Sequence, residues 1–273
     1  MITRRNVLGA CALLTGCGRT QGILEATPPK ADARIAYGPD PNQFGDLFLP
    51  VSAGPHPLII FLHGGFWRKA YDLTHAGFAC QALTHEGFAV WSLEYRRLGQ
   101  TGGGWPGTFD DVKLAAAQVN AIAPKYGFDL KRVVTGGHSA GGQLALWLAK
   151  ENVIDLIGVV ALAAVSDLKL AWELKLSNGV VAELLGGSPD DFPGRYTAVS
   201  PLDFLPIAPP QRMVHGDGDD VVPYDMSETF AKASKNAILR PVRGAGHFDL
   251  IDPRSAAWPF VRDTFKQTFS SHS

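Results

Sequence analysis

The stretch Thr135-Gly136-Gly137-His138-Ser139-Ala140-Gly141-Gly142 decides the fold, because it contains a Gly-x-Ser-x-Gly pentapeptide between two different kinds of sequence. The run Arg132-Val133-Val134-Thr135 precedes it and favours a strand, whereas the Leu- and Ala-rich run 143–150 follows it and favours a helix. Glycine on either side avoids collisions where the backbone doubles back, so the pattern predicts that Ser139 occupies a nucleophile elbow. The pentapeptide is short enough to occur by chance, so the rest of the chain must support this interpretation.

The composition is that of a globular protein, and we expect one domain, which we place at residues 33–273 and expect to carry the site around Ser139. The chain has 273 residues, of which 46% are hydrophobic and 19% are charged, and this is ample for a core. The formal net charge is −1 and neither sign forms a long run. A basic surface for nucleic acid is therefore not expected.

Residues 1–17 have the features of an export signal. Arg4 and Arg5 precede a short apolar stretch, 7–14, which is too short to span a bilayer as a helix. The segment 3–8 resembles a twin-arginine signal, although a general secretory signal remains open. The alternative is an amphipathic start to a cytoplasmic protein.

The end of this signal resembles a bacterial lipobox. In Leu14-Thr15-Gly16-Cys17, the resemblance implies that Cys17 is lipidated and becomes the new N-terminus. Residues 18–32 would then be a tether, and the protein would be exported and bound to a membrane only through Cys17. Cys11 would leave with the signal, so Cys80 would remain as a single buried thiol without a disulfide partner.

After the tether, strand-like and helix-like segments alternate. The apolar runs 58–62, 88–93, 132–135 and 157–162 predict buried strands, and helical spacing separates them. This alternation predicts an α/β fold with a mostly parallel, doubly wound sheet and a cleft at the carboxyl ends of its strands. Residues 167–210 interrupt the rhythm and predict a small helical cap, whose apolar residues either line a pocket or bury the cap on the core.

The segment His63-Gly64-Gly65-Phe66-Trp67 follows the first buried strand. Its glycines allow main-chain N–H groups to point into the cleft, where they can bind a developing oxyanion. The alternative is a simple Gly-Gly turn that ends the strand.

A serine nucleophile needs a base that takes its proton and an acid that orients the base. In hydrolases with a nucleophile elbow, the acid and then the histidine follow the serine in the chain. Only His215, His247 and His272 lie beyond Ser139. His215 is at a predicted strand end close to the acids and His272 is in the tail, so we predict that His247 is the base.

The acid must come from the loop that follows residue 215. Asp219 and Asp220 are both candidates on the residues alone. Asp217 starts a stretch that looks acidic enough for calcium, but the fifth and sixth positions of such a loop would be Val221 and Val222, where an oxygen ligand and a glycine are required. We therefore expect no metal site here.

Four stretches together resemble the α/β-hydrolase superfamily. The stretch His215-Gly216-x-x-Asp219-x-x-Val222-Pro223 resembles the acid motif of its prolyl-oligopeptidase-like and esterase branches. The segments 137–142 and 63–67 are similar to those of carboxylesterases and of arylformamidases, also called kynurenine formamidases, and 37–50 resembles the same group.

The resemblance implies roles for individual residues. Asp219 would be the triad acid, and the oxyanion hole would comprise the N–H groups of Ala140, Gly65 and Phe66. Many esterases of the hormone-sensitive-lipase type have a third glycine in place of Phe66, which favours the formamidase-like branch. His138, which immediately precedes the nucleophile, would point away from the site and serve in packing.

These observations predict a serine hydrolase that cleaves small to medium acyl or aryl esters through an acyl-Ser139 intermediate, without a metal or an organic cofactor. The alternative activity is that of an arylformamidase, because esters and formamides pass through the same kind of tetrahedral intermediate. A non-catalytic, lipid-anchored binding protein is the alternative from another class. The expected partner is a small ester or formamide, and the sequence leaves the oligomeric state open.

Overall fold

The computed structural model describes residues 22–271, which form a mixed eight-stranded sheet with helices on both faces. The spatial order of the strands is β1-β2-β4-β3-β5-β6-β7-β8. The pairs β1–β2 and β2–β4 are antiparallel, and the other pairs are parallel. The strands are β1 (Ala33–Ala36), β2 (Phe44–Phe48), β3 (His56–Leu62), β4 (Ala89–Leu93), β5 (Phe128–His138), β6 (Gly158–Leu162), β7 (Gln211–Gly216) and β8 (Ala237–Val242).

The helices connect the parallel strands and confirm the predicted doubly wound α/β class. They are α1 (Gly77–Thr84), α2 (Gly107–Tyr126), α3 (Ala140–Glu151), α4 (Leu168–Glu173), α5 (Leu176–Leu185), α6 (Pro193–Val199), α7 (Tyr224–Ala233) and α8 (Trp258–Ser270). Short 3₁₀ helices cover Leu73–Ala76 and His247–Leu250.

The central strands are buried on both faces, as the continuous apolar runs predicted. Residues 58–62 of β3 are fully buried. Helices α2, α3 and α7 cover one face of the sheet, and α1 and α8 cover the other. A sheet covered in this way exposes only its strand ends, so the loops at one edge are free to form a site.

Polar side chains mark where two helical segments begin. The Asp72 side chain caps the 3₁₀ helix Leu73–Ala76 by accepting from Thr74 N, and α1 follows this helix directly. The last helix begins at Trp258, and the Ser255 hydroxyl closes the turn before it by accepting from Ala257 N at 3.1 Å.

The segment 167–210 forms α4 to α6, and its apolar residues mostly serve burial. Leu184 and Leu185 lie in the main core, whereas Leu174 is half exposed. The described part of the expected tether also contacts the domain, since Ile23 is 2% exposed and Asp32 N donates to Leu47 O at 2.8 Å. The position of a boundary between tether and domain stays a prediction.

Cys80 is buried and is not in a disulfide, as expected. The export signal, Cys11 and Cys17 lie outside the described residues, so their predicted roles stay predictions. Across 22–271, none of the helices combines the length and the apolar character that a membrane span requires.

Candidate active site

Ser139 lies at the sharp turn between β5 and α3, as the pentapeptide predicted. Its φ of 59° and ψ of −123° are a strained conformation for a residue with a side chain. Its N–H donates to Leu162 O at 2.8 Å, which ties the turn to β6. A Cβ on Gly141 would lie 2.0 Å from Leu62 O, so only glycine allows α3 to start this close to β3.

Asp219 and His247 come together at the same edge of the sheet. Asp219 lies on the loop after β7, and His247 begins the 3₁₀ helix after β8. His247 Nδ1 is 2.7 Å from Asp219 Oδ2, and both side chains are buried. The carboxylate therefore orients the imidazole, as a triad acid must.

Four donors surround the Asp219 carboxylate. Oδ1 accepts from the N–H groups of Val221 and Val222 at 2.8 and 2.9 Å, and Oδ2 faces His247 Nδ1 and also His215 Nε2 at 3.1 Å. Burial by itself would raise the pKa of Asp219, but the hydrogen bonds from His215 and His247 outweigh it and lower this pKa well below its usual value. Asp219 is therefore ionised at neutral pH.

His215 is part of this arrangement, although the sequence argument had set it aside as a base. Its Nε2 is also 3.1 Å from Val222 O, which can only accept, so Nε2 carries the proton. Its Nδ1 then accepts from the Ser227 hydroxyl at 2.7 Å. The spacing of four residues between His215 and Asp219, on which the resemblance assigned the acid, also brings these two side chains into contact.

Within the described residues, Ser139 Oγ and His247 Nε2 do not form a hydrogen bond. Catalytic hydrogen bonds are often long without substrate and tighten when it binds.

His138 connects the end of β5 with the segment that follows β8. Its Nε2 is 2.9 Å from His247 O, and its ring centroid is 4.4 Å from that of His247. Burial, followed by the neighbouring His247, lowers the pKa of His138 well below its usual value, so His138 is neutral. The expectation that His138 points away from the site was wrong, because its ring packs against that of His247.

The loop 63–67, which carries two of the predicted oxyanion donors, passes beside Ser139. A Cβ on Gly64 would be 3.0 Å from Ser139 Cβ, so this part of the loop lies against Ser139. Gly65 has φ 106°, which requires glycine, and Phe66 has φ 52°. Neither N–H has an acceptor within residues 22–271. Ala140 is the first residue of α3, so its N–H has no acceptor within the helix.

Gln143 is a further residue that the sequence argument missed. Its Oε1 accepts from Trp67 Nε1 at 3.2 Å, and its Nε2 donates to Val199 O at 2.8 Å. Gln143, which lies on α3, therefore connects this helix to α6 and to the loop 63–67, which we call the oxyanion loop. Nothing in the local pattern marks it, because its partners come from distant segments.

The remaining acidic and histidine candidates lie elsewhere. Asp217 and Asp220 are exposed, and Asp217 accepts from Gly244 N in a turn. His272 lies outside the described residues. Over 22–271, no group of three or more His, Cys, Asp and Glu side chains is arranged to bind a metal ion.

The order of the strands and the elbow after β5 define the α/β-hydrolase fold. Within that fold, the chain belongs to the BD-FAE family, whose model matches residues 46–233.

Three curated proteins illustrate the relationship. Esterase LipC of Mycobacterium tuberculosis is 26% identical over 84% of this chain. The probable isoprenylcysteine alpha-carbonyl methylesterase ICMEL1 of Arabidopsis thaliana is 27% identical over 92% of it. The chain spans only 65% and 58% of the lengths of these two relatives. The kynurenine formamidase of Salmo salar is 23% identical over 61% of this chain and 59% of its own length.

Solved structures support the fold. A truncated carbohydrate esterase from gut microbiota superimposes with a TM-score of 0.73 at 24% identity, covering 90% of this chain and 98% of that one. An inhibited esterase B from Lactobacillus rhamnosis gives 0.76 at 21% identity, with 93% and 92% covered. At these identities the likeness establishes the fold.

Proposed function

We propose that this protein is a serine hydrolase of carboxylic esters that acts through an acyl-enzyme on Ser139. One observation carries the proposal: an ionised, buried Asp219 lies 2.7 Å from His247 Nδ1 at the edge of the sheet that also presents Ser139. The names of the relatives LipC and ICMEL1 support an ester as the substrate.

In the proposed first step, Ser139 Oγ attacks the ester carbonyl while His247 Nε2 takes its proton. The Nδ1–H of His247 points at Asp219, which stabilises the resulting imidazolium. The carbonyl oxygen becomes an oxyanion and accepts from the N–H of Ala140 and from those of Gly65 or Phe66. Collapse of the intermediate breaks the ester C–O bond, and His247 gives its proton to the departing alcohol.

In the second step, water hydrolyses the acyl-enzyme. His247 takes a proton from the water while the water oxygen bonds to the acyl carbon. The same N–H groups bind the second oxyanion. Collapse returns the proton to Ser139 Oγ and releases the carboxylic acid. The strained turn holds Ser139 Oγ, first as a hydroxyl and then as the acyl ester oxygen, at the junction of β5 and α3 through both steps.

The experiment is a panel of p-nitrophenyl esters from acetate to decanoate, assayed with the wild type and with Ser139→Ala. We expect turnover of the short and medium esters by the wild type only. Acetylated sugars belong in the panel, because a structural neighbour is a carbohydrate esterase. Equal turnover by both proteins would exclude Ser139 as the nucleophile.

An arylformamidase is the second candidate, favoured by the similarity to the kynurenine formamidase of Salmo salar and by Phe66 in the oxyanion loop. N-formylkynurenine separates the two activities. A kcat/KM for this formamide far above that of every ester in the panel would replace the ester proposal with this one.

A non-catalytic binding protein is the remaining alternative, and a fluorophosphonate probe tests it. Such a probe labels a serine only when a base activates it. We expect labelling of the wild type and none of Ser139→Ala. Failure to label either protein would favour the binding protein.

We further propose that the protein is exported and anchored through a lipid on Cys17. The lipobox-like sequence supports this location, and a cytoplasmic protein is the alternative. Cys17→Ala should move the protein from the membrane fraction to the soluble fraction of a bacterial host. An unchanged distribution would exclude the anchor.

A further inference from the structure

His63 is the first residue of the oxyanion loop, and it is completely buried. Its Nδ1 is 2.7 Å from the carbonyl oxygen of Gly64, the next residue. A carbonyl oxygen only accepts, so Nδ1 carries a hydrogen and donates it. The Tyr95 hydroxyl donates to His63 O at 2.9 Å, and its ring stacks on the imidazole with centroids 4.5 Å apart. Two successive carbonyls of the loop are therefore bound from inside the protein.

Glu94 fixes the orientation of the His63 ring. Its Oε1 is 3.0 Å from His63 Nε2, so a proton must lie between these two atoms. The same carboxylate accepts from Tyr95 N at 2.9 Å and from Leu73 N at 3.2 Å. Arg97 Nε is 3.1 Å from Oε1, an ion pair by distance but without hydrogen-bond alignment.

Other titratable groups also face His63. His75 contacts its ring edge-on at 5.8 Å. Burial and then the neighbouring His63 lower the pKa of His75 to about 3, so His75 is neutral, and the carboxylate in contact with the His63 ring is that of Glu94. Burial by itself would raise the pKa of Asp72, but the hydrogen bonds from Thr74, followed by the nearby Arg97 and His63, lower this pKa.

The geometry of the peptide bond links this network to the cleft. In a trans peptide the C=O and the following N–H point in opposite directions. Because the Gly64 C=O is turned inward to His63, the Gly65 N–H is turned outward, and it has no acceptor within residues 22–271. The φ of 106° at Gly65 permits this orientation.

We propose that His63, oriented by Glu94, is a positioning residue that holds the Gly64–Gly65 peptide so that the Gly65 N–H faces the oxyanion. This inference rests on the proposed function, because it assigns a task within the same site. His63 does not touch the substrate. Its effect should therefore appear in the transition state, where the oxyanion forms, and not in substrate binding.

Two variants of His63 separate the two hydrogen bonds of its ring. In His63→Asn, the amide nitrogen takes the place of Nδ1 and can still donate to Gly64 O. In His63→Gln, the amide nitrogen takes the place of Nε2, so it reaches Glu94 but not Gly64. Both variants remove the imidazole ring and replace it with a neutral amide, so they differ mainly in the contact that the proposal requires. His85→Gln, at an exposed histidine, is the matched control.

With a p-nitrophenyl ester, we expect His63→Gln to lower kcat on the order of 10²-fold, the usual effect of losing one oxyanion donor. We expect His63→Asn to lower it less than about tenfold, with KM within about threefold of wild type in both and His85→Gln unchanged. Tyr95→Phe, which removes only the hydroxyl, should lower kcat about two- to tenfold and covers the case in which neither His63 variant folds.

Equal losses of kcat in folded His63→Asn and His63→Gln would overturn the inference, as would an unchanged kcat in Tyr95→Phe when it alone folds. Thermal unfolding of each variant identifies the folded ones. A wild type without any turnover that depends on Ser139 would refute the proposed function and this inference together. Turnover by the wild type with equal losses in the variants would refute the inference alone.

Discussion

Replacing Asp219 with Asn removes one charge from the site and keeps the size of the side chain. Asp219 uses both oxygens, one for the N–H groups of Val221 and Val222 and the other for two histidine rings. An amide has a single oxygen. If that oxygen accepts from the N–H groups of Val221 and Val222, the NH₂ group of the new amide must face His215 Nε2 and His247 Nδ1. The first of these two nitrogens already carries a hydrogen and cannot accept one.

We therefore expect His247 to lose its acceptor in Asp219→Asn. The ring then keeps its proton on Nε2, where it faces Ser139 as a donor and not as a base. The corresponding change in a serine protease triad lowers kcat about 10⁴-fold because the wrong tautomer is present. We predict a loss of the same order here, with KM little changed.

The same substitution should change stability in a pH-dependent way. The pKa of Asp219 is lower in the folded than in the unfolded chain, where it is about 3.9. Ionised Asp219 therefore stabilises the fold above about pH 4, and this stabilisation is lost as the pH falls below that value. Breaking a buried charged network typically costs about 3–5 kcal/mol, so Asp219→Asn should unfold at a lower urea concentration than the wild type at pH 7, and this gap should start to narrow as the pH falls below about 4.

Steady-state hydrolysis of a p-nitrophenyl ester gives kcat and KM, and urea unfolding at pH 7 and pH 3 gives the stability gap. Asp220→Asn, at the exposed neighbour, is the matched control and should change neither quantity. A kcat in Asp219→Asn within tenfold of the wild type would refute the role of Asp219 as the triad acid. A gap that is the same at both pH values would refute the linkage.

Three further predictions concern the surroundings of the site. Gly141→Ala should lower the free energy of unfolding by at least about 1–3 kcal/mol in urea titrations, because the new methyl group collides with Leu62 O. Wild-type stability of this variant would contradict the close approach of α3 to the end of β3. Burial raises the pKa of the Cys80 thiol to about 12. In a variant whose two N-terminal cysteines are replaced with serine, we therefore expect Ellman's reagent at pH 8 to react with Cys80 only after unfolding. Fast reaction of the folded protein would contradict this prediction. The partly exposed ion pair of Arg68 with Glu183 should contribute only about 0.2–1 kcal/mol in a double-mutant cycle, less at high salt, and a larger coupling would mean that it fixes the cap on the oxyanion loop.

Much of the fold could be predicted from local sequence patterns. Continuous apolar runs identify strands that are buried on both faces, and the run 58–62 in β3 is an example. The elbow at Ser139 could be predicted because a sharp turn from strand to helix restricts which residues flank it. His247 followed by elimination, and the structure places it beside Asp219 as that argument requires.

The supporting contacts could not be predicted in the same way. Glu94 follows β4 in a polar run that suggests an exposed loop, yet it is 1% exposed because His63 and Arg97 surround it. Its burial depends on β3 and β4 lying side by side, which a local pattern does not specify. Gln143 was missed for the same reason, since its partners belong to the oxyanion loop and α6.

The site assembles because four parallel strands end at one edge of the sheet. β3 leads to the oxyanion loop, β5 to Ser139, β7 to Asp219 and β8 to His247. β3 pairs with β5, β7 pairs with β8, and β6 lies between β5 and β7 and pairs with both, so the sheet fixes the relative positions of these four loops. The buried carboxylates of Asp219 and Glu94 then fix the two histidine rings that follow β8 and β3. The same arrangement thus occurs twice, once behind the predicted base His247 and once behind the predicted oxyanion donors, and in each case a buried carboxylate contacts a ring nitrogen of an imidazole.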